Sequence, residues 1–245
     1  MWLTRVKDLG LLLMVAVLMA ACGSDQKPEP LAECESAPRP IVFVHGFMGG
    51  GDNFANTVMR FESNGYCPAY LRTFDWNALS FDMEGHAAAL SDFIDKVLEE
   101  TGADQVDLMG HSAGGRLSHL FLSDAQRSPK VAHYVHTASF CGLEFPPTVP
   151  LLVLSSDEDT VLGSCTIDGA INQDIDGADH LQMVTLPEVF DAVYRFFNEG
   201  QAPATAEIAA QSEIALSGKI LALGTNEPAT DAQVEVYELD SETGE

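Results

Sequence analysis

Residues 106–122 read VDLMGHSAGGRLSHLFL, and this run constrains the fold more than any other stretch of the chain. A short strand-like segment leads into Gly110-His111-Ser112-Ala113-Gly114, and an apolar-periodic helix leads out. A serine at the tip of such a turn takes a strained backbone conformation, tolerated only when the residues two before and two after it are small. Gly110 and Gly114 meet that condition. The turn lifts the Ser112 hydroxyl above a strand end and aims a helix N-terminus at it, which favours a developing oxyanion. Ser112 is the candidate nucleophile. The competing reading is a Gly-rich turn with an incidental serine, and a histidine and an acid at usable places separate the two.

The chain holds seven histidines. His86 and His119 fall within helical patterns, and His133 and His136 within a strand, where packing or surface roles suffice. His111 adjoins the serine but belongs to the turn and is expected to point elsewhere. His45 belongs to a His-Gly-Phe turn. His180, in DIDGADHLQ, follows the last strand signal and precedes the final helix, where a general base reaches over the sheet edge. The acid that fixes its tautomer is sought in LLVLSSDEDTVL, a strand followed by three carboxylates. Asp159, followed by Thr-Val-Leu, is preferred; Asp157 is its competitor and Glu158 a third choice. An oxyanion needs two backbone N–H groups. Ala113 offers one, and Phe47 in HGFMGGGDNF offers the other, with glycines at 49–51 letting that loop pass close to a substrate. A phosphate-cradling loop is the rival reading of HGFMGGG, but it lacks the lysine such loops use.

Strand and helix signals alternate from the first apolar run to about residue 200. Strands are expected at 40–44, 69–74, 105–109, 131–138 and 151–154. Helices are expected at 85–100, ended by Thr101-Gly102, at 113–123, and from near Pro187, with Val189, Phe190, Val193, Phe196 and Phe197 inward. Such alternation predicts an α/β fold: a mostly parallel sheet with helices on both faces. Between Ala138 and Leu151 only a short loop fits, so no helical cap domain is expected. After Gly200 the composition shifts. QAPATAEIAAQ, residues 201–211, is expected to be a linker. SGKILALG and QVEVYEL in 212–245 are β-like runs around a turn-rich TNEPATDA.

Twelve Lys and Arg face 37 Asp and Glu, a net charge of −25. Such a surface repels nucleic acid and anionic membranes, so neither is an expected partner. The N-terminus places Arg5 and Lys7 before a short apolar run ending in small residues, the layout of a secretory signal over 1–21. Leu18-Met19-Ala20-Ala21-Cys22 resembles the lipobox of bacterial lipoproteins, in which the cysteine becomes the lipidated first residue. Ordinary cleavage near Ala21 is the alternative. Residues 22–38 then form a solvated tether. Gly23 rather than Asp follows Cys22, which by resemblance to sorted lipoproteins implies the outer membrane where the host has one, and any membrane contact is expected only through this anchor. Cys34, Cys67, Cys141 and Cys165 remain, an even number for an oxidising compartment. No His/Cys spacing suits zinc, and neither metal nor cofactor is expected.

IVFVHGFMGGGDNFANTV, KVLEETGADQVDLMGHSAGG, KVAHYVHTAS, SSDEDTVL and GADH, in that order, resemble the small lidless bacterial lipases of the Bacillus lipase A type, within the α/β-hydrolase superfamily. The likeness covers roughly residues 39–199. It implies Ser112, Asp159 and His180 as a catalytic triad and Phe47 and Ala113 as oxyanion donors, in a catalytic domain over 39–200. The residue after the serine is Ala rather than the Met of that type, and the Cys141–Cys165 region is this sequence's own, so acyl-chain preference does not transfer. Strand order, supported by the resemblance, favours the pairs Cys34–Cys67 and Cys141–Cys165. The end of the chain resembles the opening of small β-sandwich repeats related to the carboxypeptidase regulatory domain, which implies a truncated module; a frayed hairpin is the alternative. The expected function is a monomeric, exported or surface-anchored lipase or esterase acting on short to medium acyl esters. A polyester depolymerase, thioesterase or acyltransferase with the same triad, or a non-catalytic surface binding module, are the alternatives.

Overall fold

The computed structural model describes residues 39–142, 149–210 and 218–237. The expected secretory signal and tether, with Cys22 and Cys34, lie outside the described residues, as do parts of the segment after 210.

Among the described residues six parallel strands form one sheet. They are β1 (Ile41–Val44), β2 (Leu71–Phe74), β3 (Val106–His111), β4 (Val131–Thr137), β5 (Leu151–Ser155) and β6 (Ile171–Asp174), in the order β2-β1-β3-β4-β5-β6. Four α-helices cover it: α1 (Ala55–Ser63), α2 (Met83–Thr101), α3 (Ala113–Leu122) and α4 (Pro187–Phe197). The period-2 alternation of β1 decides which helices it meets. Val42 and Val44 pack in one layer with Leu90, Ile94, Leu117 and Phe121 of α2 and α3. Ile41 and Phe43 pack in the other with Phe61 of α1 and Val189, Phe190, Val193 and Phe197 of α4. β1, β3 and β5 are buried throughout, as a parallel sheet covered on both faces requires.

Helix ends follow local chemistry. The Asp82 carboxylate caps α2 by accepting from the Gly85 amide at 3.0 Å, so the helix starts before the expected position, and Gly102 ends it in the left-handed conformation. Two elements lie outside the expected set. One is α1. The other is β6, an edge strand whose four residues are all exposed, so it carries no apolar pattern. The β-like run QVEVYEL is not a strand over its described residues 233–237; among the described residues of the C-terminal segment the β structure is one isolated antiparallel bridge, Leu221 to Pro228. Two short strands lacking a third are marginal in water, and here the polar turn residues bond to the main domain instead.

Sheet register sets up the site. Val44 pairs with Gly110, so the His45-Gly46 turn leaves β1 beside the turn that leaves β3. His111 pairs with Thr137, and Thr137 with Leu154, which brings the carboxyl ends of β4 and β5 to the same edge. Open α/β sheets bind ligands at this edge.

Candidate active site

Ser112 sits between β3 and α3 with φ 53° and ψ −124°, a strained conformation for a residue with a side chain. Several contacts hold it there. The Ser112 amide donates to the Thr137 carbonyl at 3.1 Å, and its own carbonyl accepts from the Ser139 hydroxyl at 2.6 Å and the Gly115 amide at 3.0 Å. Glycine at the flanking positions is a matter of space. A Cβ at Gly110 would lie 2.7 Å from the Ser118 hydroxyl, and one at Gly114 would lie 2.2 Å from the Val44 carbonyl oxygen. Gly46 passes as close: a Cβ there would meet the Ser112 Cβ at 2.8 Å. The His45–Phe47 turn is therefore pressed against the serine. Ala113 opens α3, where a first-turn amide has no partner inside the helix.

Of the three carboxylates after β5, Asp157 and Glu158 are exposed and Asp159 is buried at 2 %. One Asp159 oxygen accepts from the Val161 and Leu162 amides at 2.8 and 3.2 Å; the other lies 2.8 Å from His180 Nδ1. Burial pushes the carboxyl up, but the hydrogen bonds from His180, Val161 and Leu162 together outweigh it, and the group is held below its ordinary range. A carboxylate there keeps the His180 proton on Nδ1 and leaves Nε2 as the acceptor. Cys141 and Cys165 are disulfide-bonded, and the Cys165 carbonyl accepts from the Ser155 hydroxyl at the end of β5, just before the acid. Cys67 is also disulfide-bonded.

His111 does more than point away. Its Nε2 donates to the His180 carbonyl at 2.9 Å, and the two rings lie 4.7 Å apart. Burial, then the neighbouring His180, lowers the His111 pKa to about 4, so it serves as a neutral donor. The residue before the serine thus anchors the loop that bears His180. Among the described residues no hydrogen bond joins the Ser112 hydroxyl to the His180 ring. Phe47 and Met48 on the β1 loop, Phe140 after β4, Val161 beside the acid and Leu181 beside His180 are exposed apolar side chains on loops that leave this edge. No group of three or more His, Cys, Asp or Glu among the described residues could hold a metal ion.

Sequence reasoning missed Ser139, which braces the turn through its hydroxyl, because nothing in the local pattern marks it. It also missed the role of His45, whose Nδ1 lies 2.8 Å from the Gly46 carbonyl while Trp76 N–H groups bond to its ring and its carbonyl.

Comparison with known proteins agrees with this fold. The family model of the alpha/beta hydrolase fold matches residues 39–161, half of the chain. Ethanol acetyltransferase 1 of Wickerhamomyces anomalus is 34% identical over 86 residues, 33% of this chain. The match spans only about a fifth of that relative's length, 21%. Among solved structures, the Bacillus licheniformis lipase BlEst2 superposes with a TM-score of 0.57 at 15% identity, over 69% of this chain and 96% of that one. Est1E from Butyrivibrio proteoclasticus superposes with a TM-score of 0.53 at 15% identity, over 68% and 90%. At these identities the solved structures speak for the fold alone.

Proposed function

The chain belongs to the α/β-hydrolase fold family, and from that premise we propose that it is a carboxylic ester hydrolase working through Ser112, His180 and Asp159. The observation that carries the reading is the buried Asp159 carboxylate on His180 Nδ1 at 2.8 Å, with His180 tied through His111 to the strained serine turn. His180 Nε2 takes the Ser112 proton as the hydroxyl oxygen adds to the ester carbonyl, a contact that closes when substrate is bound. The Phe47 and Ala113 amides stabilise the oxyanion. The tetrahedral adduct collapses to an acyl-enzyme, and the alkoxide leaves with the proton from His180. Water, deprotonated by the same nitrogen, then adds to the acyl carbon; carboxylic acid departs and Ser112 recovers its hydrogen. Asp159 stays ionised throughout and stabilises the imidazolium.

The finer likeness to lidless lipases of the Bacillus lipase A type is part of this proposal. Exposed apolar side chains on the surrounding loops suit an acyl chain, and short to medium esters are the substrates read from a site with no cap domain among the described residues. An acyl transfer to an alcohol is the second reading, favoured by the match to an acetyltransferase. Export is proposed from the leader pattern and is supported by the Cys141–Cys165 bond, since disulfides persist in oxidising compartments.

Hydrolysis of p-nitrophenyl esters from acetate to palmitate by the full chain and its Ser112→Ala variant tests the reading. The variant should lose on the order of 10⁴-fold or more in kcat/KM. Equal, feeble rates from both proteins would sink it. Added ethanol separates the two readings: a product mixture dominated by the ethyl ester would mark a transferase.

A further inference from the structure

We infer that the segment 218–237, beyond the strands and helices of the hydrolase fold, completes the oxyanion loop: Asn226, together with the Trp76 amide, holds His45 in one tautomer and, through it, sets the direction of the Phe47 N–H. The inference rests on the reading of Phe47 as an oxyanion donor.

The Gly46 carbonyl and the Phe47 N–H belong to one planar trans peptide and point in opposite directions, so whatever holds the oxygen aims the N–H. That oxygen accepts from the Gly49 amide at 3.1 Å and faces His45 Nδ1 at 2.8 Å. A carbonyl only accepts, so the His45 proton must sit on Nδ1. The other nitrogen, Nε2, must then be an acceptor, and it faces two donors: the Trp76 amide at 3.3 Å and Asn226 Nδ2 at 3.2 Å. The Asn226 amide cannot be turned round. Its Nδ2 also lies 2.9 Å from both the Gly49 and the Trp76 carbonyl oxygens, which admit a donor only, so its two hydrogens are shared among three acceptors.

One side chain thus joins both ends of the loop to the strand exit that braces it. His45 is fully buried, where the neutral ring is favoured, so the choice between its two neutral tautomers is the variable that remains. Asn226 is itself held in place. It sits at φ 55°, its amide donates to the Ala222 carbonyl at 2.9 Å, and the Gly224 carbonyl accepts from the Ala78 amide at 3.0 Å. Lys219 pairs with Asp75, whose other oxygen accepts from the Gly51 amide at 2.8 Å. The segment therefore grips the 45–51 loop at two places, and Asn226 acts as a positioning residue.

Asn226→Gly is the informative variant, because glycine accepts the positive φ and only the amide is lost. With p-nitrophenyl butyrate and the full chain, kcat should fall about tenfold with KM within about twofold, since the donor is misaimed rather than removed. Affinity for an alkyl boronic acid, which carries the tetrahedral oxyanion, should fall by the same factor. Long-range ¹⁵N NMR should find the His45 proton on Nδ1 in the native chain and partly moved to Nε2 in the variant, where the Trp76 amide alone opposes that tautomer. Val234→Ser, an exposed change in the same segment, should leave both readouts unchanged. Phe47→Pro deletes the N–H and should cost about 10²–10³-fold in kcat.

A native His45 protonated on Nε2 overturns the inference even if no variant folds. So does an unchanged kcat in Asn226→Gly, or a fall there without a tautomer change, or an equal fall in Val234→Ser. If Phe47→Pro collapses while Asn226→Gly does not, the inference fails and the oxyanion reading stands. A folded Phe47→Pro with native kcat removes the reading beneath it.

Discussion

A methyl group at Gly114 would sit 2.2 Å from the Val44 carbonyl oxygen and 2.3 Å from that of His45, both backbone atoms that cannot swing aside. Gly114→Ala must therefore push α3 off the end of β1, and we expect a loss of about 1–3 kcal/mol in urea unfolding. A variant as stable as the native chain would show that the turn is looser than its packing implies. The charged residue of the site carries a different prediction. Asp159 is buried and bonded on both oxygens, and its ionised form favours the Nδ1–H tautomer of His180. Asparagine can present an N–H to His180 Nδ1 and invert that preference. Asp159→Asn should lower kcat by about 10³–10⁴-fold at neutral pH while the fold survives. Retained activity, with Asp157→Asn inactive instead, would transfer the acid role to the competitor.

Elements meet at this site because parallel pairing stacks their carboxyl ends. β1 delivers the His45–Phe47 turn, β3 delivers Ser112, and the loop after β5 delivers Asp159. The loop carrying the acid has little regular structure of its own. The Cys141–Cys165 bond ties it to the segment leaving β4, closing 24 residues of chain. Replacing both cysteines by serine should cost about 2–4 kcal/mol, read from the urea midpoint, through the freedom returned to the unfolded chain. An unchanged midpoint would mean that the loop is held by the Ser155–Cys165 and Asp159 hydrogen bonds alone. The linker-like residues 201–210 lie along α1: Arg60 donates to the Ala206 carbonyl at 2.8 Å, and Asn64 donates to that of Thr205 at 2.8 Å. Polar side chains of one helix thus replace the apolar face that an Ala-rich segment lacks.

The whole molecule carries a net charge of −25, yet it buries several neutral histidines. Burial lowers His45 below its ordinary value and His111 and His136 to about 4. In the unfolded chain each takes up a proton near 6.5. Between that value and the folded one, the unfolded state binds more protons. Their contribution to stability is therefore complete above about pH 6.5 and is lost as pH falls toward 4. Relief of the negative charge works in the opposite direction over the same range, so the histidine effect is read as a difference. Denaturation of the native chain and His136→Asn at about pH 7.5 and about pH 5 should show the gap between them shrinking at the lower pH. An equal gap at both would overturn the assignment.

The strand-turn-helix around Ser112, the alternation that makes a parallel sheet, and the order of serine, acid and histidine were legible in the residues, because each is a local or periodic property. β6 was not, since an edge strand with four exposed residues has no apolar signature. Spacing left Asp157 and Asp159 both open; a loop that buries one carboxylate against His180 and leaves the other in water is what favours Asp159 in the proposed reading. His111, Ser139 and Asn226 gained their places only when the chain closed on itself. Their partners lie 69, 27 and 181 residues away, and a hydrogen bond across such a distance leaves no pattern in the neighbourhood of either residue. Chemistry that depends on residue type and short spacing was set by the sequence alone. The aim and electrostatics of those groups were decided by the tertiary structure, because only packing brings distant donors and acceptors to within bonding range.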